Sequence, residues 1–135
     1  MKNGENNWGV PYRIIVWFET AVSGHQAVSH VERHDDIIFE VYMASGKKIT
    51  AICPDEYVCG LTTVARVEAD FPDVSFIYVG GMWNGYTMEA KEYCRSRKIG
   101  LYNSSEINGA LFKDEYWDYY KKDKKGNPKY QAKRS

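Results

Sequence analysis

Apolar positions along this chain change period near its middle. Residues 1–9, MKNGENNWG, form a polar lead-in. YRIIVWFETAV follows, rich in β-branched and aromatic residues, and reads as a strand. SGHQ signals a turn, and AVSHVERH alternates loosely, Val28 and His30 against Ser29 and Val31. DDIIFEVYMAS is a second strand candidate, and GKK turns the chain into ITAIC. Short connections make hairpins the economical path, so residues 12–53 are predicted to form an antiparallel meander.

The second half follows a helical period broken by short apolar runs. GLTTVARVEADF sets Leu61, Val64 and Ala65 on one helical face, with Phe71 near its end and Pro72 as the stop. VSFIYVGG is nearly continuous in apolar residues, as in a strand covered on both faces. YTMEAKEYCRSRK repeats at helical spacing through Tyr86, Ala90, Tyr93 and Cys94. Glu89 in its first turn and Arg95, Arg97 and Lys98 in its last suit the helix dipole. IGLYN reads as a short strand. NSSE, from Asn103 to Glu106, resembles a capping box that opens a helix through Ile107, Ala110 and Leu111. KDEYWDYY predicts a further helical turn or two. Helices alternating with strands imply right-handed crossovers and at least one parallel strand pair. The expected fold class is therefore α/β: a single globular domain over residues 1–120 (core 10–112), with a mixed β-sheet that begins as an antiparallel meander and is flanked by helices.

Composition alters this picture in three places. A length of 135 residues and 44% hydrophobic content fit one domain with a real core. An aromatic share of 15% argues against disorder, and suits an interface as well as a filled core. The chain is neutral overall, but residues 121–135 carry Lys121, Lys122, Lys124, Lys125, Lys129, Lys133 and Arg134 against Asp123 alone. That leaves a +6 segment, expected as a basic flexible tail, on a −6 body. An acidic body argues against a broad phosphate-binding face, whereas the tail suits a polyanion, the body itself, or simple solubility. Cys53, Cys59 and Cys94 form no disulfide framework, and the first two are poorly spaced for zinc with no histidine beside them. Reduced thiols, no visible secretory signal and an IIVWF run too short for a span lead to the expectation of a cytoplasmic protein without membrane contact.

The segment VSFIYVGGMWNGYTMEAKEYCRSRKIGLYNSSEINGALF resembles the C-terminal half of the restriction-endonuclease-like fold, the PD-(D/E)XK nuclease superfamily, in its Mrr-like branch. That branch follows a buried strand (here Val74 to Val79) with a Thr-x-x-Ala helix (Thr87, Ala90), a short strand (Ile99 to Tyr102) and a small closing helix (Glu106 to Leu111). HDDIIFEVYMASGKKITAICPDEY has the shape of the preceding hairpin, and the resemblance spans roughly residues 35–112. Upstream, the family has a helix where the residues here read as strands. The resemblance implies a metal-binding Asp at Asp35 or Asp36, and a Glu-x-Lys that falls on Ile52 and Pro54. Isoleucine and proline supply neither ligand nor charge, so the implied nuclease site is degenerate.

Three functional readings follow. In the leading one the chain is a non-catalytic binding protein that needs no cofactor and contacts nucleic acid or nucleotide. Its candidate residues are Gly80, Gly81, Trp83, Asn84 and Tyr86, in a glycine-rich turn between strand and helix, with Lys121, Lys122, Lys124 and Lys125. Fold analogy alone adds a phage or bacterial defence setting. The second reading is a metal-dependent nuclease with a rearranged site built from Asp36, Glu40, Asp55 and Glu56, taking Mg²⁺ or Mn²⁺. The third is a protein-binding inhibitor or homodimer that uses Phe112, Tyr116, Trp117 and Tyr120. His25, His30 and His34 cluster in sequence; the last two share a strand face, where a transition-metal role competes with plain exposure.

Overall fold

Chain direction and burial in the computed structural model, which describes residues 6, 8–80 and 85–130, follow from how each segment finds a partner. The first element corrects the sequence reading: Tyr12–Ser23 is helix α1, not a strand. Ile14, Ile15, Phe18 and Val22 fall on its buried face. Phe18 meets Phe39 edge-on at 4.9 Å and stacks on Tyr78 at 4.7 Å. Burying one such side chain contributes about 2–3 kcal/mol, which outweighs the few tenths by which β-branched residues disfavour a helix.

The meander is accordingly shorter than predicted. It consists of β1 (Val28–His34), β2 (Ile38–Met43) and β3 (Lys48–Ile52), paired antiparallel in that order. Asp35 and Asp36 make the tight β1–β2 connection with φ of 45° and 68°, a region that aspartate tolerates better than most residues. The chain continues through β4 (Val58–Cys59), α2 (Leu61–Asp70), β5 (Phe76–Val79), β6 (Gly85–Tyr86), α3 (Met88–Ser96), β7 (Gly100–Asn103) and α4 (Ile107–Ala110). A 3₁₀ turn follows at Tyr116–Asp118, and then β8 (Lys121–Lys122) and β9 (Pro128–Lys129).

The five-stranded sheet has the order β1-β2-β3-β5-β7, with β3, β5 and β7 parallel. The fold is thus α/β with a mixed sheet and, among the described residues, four α-helices. Central β5 is buried at all four positions, which explains its unbroken apolar run. α2 turns differently from the predicted face: Val64 and Val67 are buried while Leu61 and Ala65 are exposed. α3 is capped by Thr87, whose hydroxyl accepts from the Ala90 amide at 3.1 Å, and it buries Ala90, Lys91 and Cys94 while Tyr93 turns outward. Glu106 reaches back to the Asn103 amide at 3.1 Å, the return half of a capping box, although α4 itself starts only at Ile107.

The segment expected as a basic tail contains the β8–β9 hairpin. Its turn is made by the Asp123 carboxylate, which accepts from the amides of Lys125 and Asn127 at 2.9 Å each. Gly126 completes it at φ 84°. No helix among the described residues is long and apolar enough to cross a membrane.

Candidate functional site

The end of β3 is where the resemblance implies chemistry. The register Ile38↔Ile52 sets that end beside the turn carrying Asp36. Ile52, Cys53 and Pro54 are buried, and their side chains present no oxygen ligand for a hard cation. Asp36 is the only strongly buried acid here, its side chain 3% exposed. Its carboxylate receives Arg33 Nη1 at 2.8 Å and the Asn6 side-chain amide at 2.8 Å. Arg33 also lies 3.6 Å from Glu19 and over the Tyr12 ring at 5.7 Å. A guanidinium thus sits on Asp36, one of the two acids that the resemblance offers to a metal, and any cation there would have to displace it; the other, Asp35, is exposed.

The other candidate acids diverge. Asp55 is exposed and Glu56 half-buried just beyond Pro54. Burial pushes the Cys53 thiol far up, with the charges of Asp55 and then Asp36 adding to the effect, so these groups lie near one another. Glu40 belongs elsewhere: its carboxylate accepts from the Tyr42 hydroxyl at 2.8 Å and lies 3.7 Å from Lys48 Nζ and from His34 Nε2. Among the described residues, Asp36, Asp55 and Glu56 do not converge into a set of three metal-ligand atoms.

Gly81, Trp83 and Asn84 lie outside the described residues. Gly80 is buried, its amide donating to the Pro54 carbonyl at 3.3 Å, and a β-carbon added there would overlap the Ile14 side chain. Its lack of a side chain therefore serves the packing of α1 on β5. Tyr86 is fully buried and donates its hydroxyl to Glu106 at 2.7 Å. Around it lies a polar cluster that the sequence reading missed. Lys91, 0% exposed, donates to the Leu101 carbonyl at 2.7 Å and stands 3.4 Å above the Tyr102 ring. Burial pulls its ammonium down to about 7, against the opposing pull of Glu106. The signal was in the spacing, since Thr87, Lys91 and Cys94 fall on one stripe of α3, but a lysine there argued for solvent.

The aromatic C-terminal candidates do not share one helical face. Tyr116 is buried against Phe76 at 5.8 Å, and Trp117 meets Tyr116 edge-on at 5.2 Å. Phe112 is exposed and touches His25, while Tyr120 packs near Tyr130. Tyr119, Tyr120, Lys121 and Lys122 line an open groove of about 910 Å³ with Lys113, Asp114, Glu115 and Asp118. Two of its acids are already matched from outside, Asp118 by Arg95 at 3.4 Å and Asp114 by Lys47 at 3.9 Å. The three lysines then face Glu115 as the remaining acid, so the groove and the adjoining hairpin favour an anion. No family model, no curated protein and no solved structure matches this chain.

Proposed function

We propose that this chain is a non-catalytic nucleic-acid-binding protein on a restriction-endonuclease-like fold whose nuclease centre is degenerate. The observation that carries the reading is the occupation of the catalytic positions: Asp36 is bound by Arg33 at 2.8 Å, and Ile52 and Pro54 stand where an acid and a lysine are implied. The element order supports the fold assignment, because a helix precedes three antiparallel strands and two parallel crossover strands follow. Contact with nucleic acid is assigned to the phosphates, through the β8–β9 hairpin with its five lysines against Asp123, and through the tyrosine-lined groove at its base.

The test is a titration of labelled single- and double-stranded DNA and RNA at two salt concentrations, with Mg²⁺ present and a denaturing gel run on the same samples. With about five phosphates neutralised, affinity for duplex DNA falls several-hundred-fold between 50 and 200 mM salt. Deleting residues 121–135 removes the binding. Cleavage of the strand overturns the degenerate-site reading. Salt-insensitive or absent binding transfers the function to protein contact, for which α1 offers a stripe of exposed Tyr12 (42%), Val16 (37%) and Trp17 (45%).

A further inference from the structure

We propose that Glu32, His34 and Glu40 form a binding site for a divalent transition-metal ion of the zinc class on the β1–β2 ladder. Among the described residues, these three offer ligand atoms that all lie within 4.8 Å of one another. The register makes Glu32 and Glu40 directly opposite, and His34 follows Glu32 by two residues on the same face. Two carboxylates set directly across a strand pair repel each other. The cation beside the pair is the exposed Lys48, its Nζ 3.7 Å from Glu40, and the exposed His30 Nε2 stands 3.7 Å from Glu32. A dication held by both carboxylates turns that repulsion into attraction, and with a neutral imidazole the charges of the site sum to zero.

Donor chemistry selects the ion. Two carboxylate oxygens and one imidazole nitrogen suit zinc or a neighbouring transition metal, whereas Mg²⁺ and Ca²⁺ take oxygen alone and keep more water. Ligands at about 2.0–2.1 Å from a tetrahedral ion stand about 3.3 Å apart. His34 Nε2 and Glu40 Oε2 are already at 3.7 Å, so closure needs only a small side-chain shift. Tyr42 holds Glu40 from outside the triad through its hydroxyl at 2.8 Å. Metal-ligating carboxylates are commonly held from behind in this way.

Away from this face, the cysteines among the described residues, Cys53, Cys59 and Cys94, are buried, and so is His25. His25 contacts the Asn108 carbonyl through Nε2 at 2.8 Å and accepts the Ala27 amide on Nδ1 at 3.0 Å. Specific zinc binding therefore reports on the β1–β2 face.

The experiment is calorimetric titration of the full chain with ZnCl₂, with CoCl₂ absorption as a second readout and MgCl₂ as competitor. One ion binds per chain, equimolar Mg²⁺ does not displace it, and His34→Ala and Glu40→Gln each weaken it by about 10–100-fold. Lys48→Met tightens it several-fold, because the ammonium competing for Glu40 is gone; a misfolded variant does not produce that gain. No saturable binding by the wild-type chain, or binding that survives both His34→Ala and Glu40→Gln, overturns the site.

Discussion

Arg33 holds three partners at once, the Asp36 carboxylate, Glu19 and the Tyr12 ring, and so ties the β1–β2 turn to α1. Replacing it with methionine keeps much of the stem's packing but strips the guanidinium from an almost fully buried acid. Arg33→Met is expected to cost about 2–4 kcal/mol in urea unfolding at pH 7, and adding Asp36→Asn recovers most of it. A loss within experimental error would mean that Asp36 is hydrated, and would reopen the case for a cation there. At this scale part of the site was legible. An acid at residue 36 and the absence of one at 52 follow from the strand pattern alone. Its pairing with Arg33 was not, because it depends on two consecutive left-handed aspartates that fold the turn back on β1. The same turn fixes Glu32 opposite Glu40; a sequence reading that weighed His34 and Glu40 separately had no register with which to join them.

Among the elements, α1 was misread and the β8–β9 turn went unread, for opposite reasons. Within IIVWF the strand preference of single residues masked the spacing of Ile14, Phe18 and Val22, which only matters once β2 and β5 supply Phe39 and Tyr78. Over residues 121–130 net charge hid a turn signal, an aspartate whose carboxylate caps two amides and a glycine at positive φ. Strand β5, strand β7 and helix α3 were readable because local pattern and tertiary role agree in them. The hairpin gives its own test. Gly126→Val keeps every charge yet strains the turn by about 1–2 kcal/mol, so it should lower nucleic-acid affinity about 5–30-fold if the lysines act as a preformed array. Unchanged affinity in the same titration would mean that charge alone, in any conformation, does the binding.

For the molecule as a whole, buried ionisable groups shape stability against pH. Lys91 is depressed to about 7 in the fold from an ordinary value near 10.5, so between those limits the unfolded chain binds more protons. Stability contributed through Lys91 therefore rises with pH across that window, and the penalty is complete only below about 7. The cysteine thiols act with the opposite sign, because burial raises Cys59 and Cys94 to about 12 and the unfolded chain loses its protons first, above about 9. Unfolding free energy is expected to climb from pH 7 toward 9 and then fall. In Lys91→Met the climb should vanish while the fall remains, and a parallel profile in chemical denaturation would show that Lys91 keeps its proton in the fold just as it does in the unfolded chain. The same three cysteines have another consequence. Thiol reagents attack the thiolate, and here the sulfurs are sealed in two regions: Cys53 at the end of β3, and Cys59 of β4 near Cys94 of α3. Alkylation can proceed only when that region comes open, so its rate at each cysteine times local opening, and the chain carries its own set of clocks for how its layers come apart.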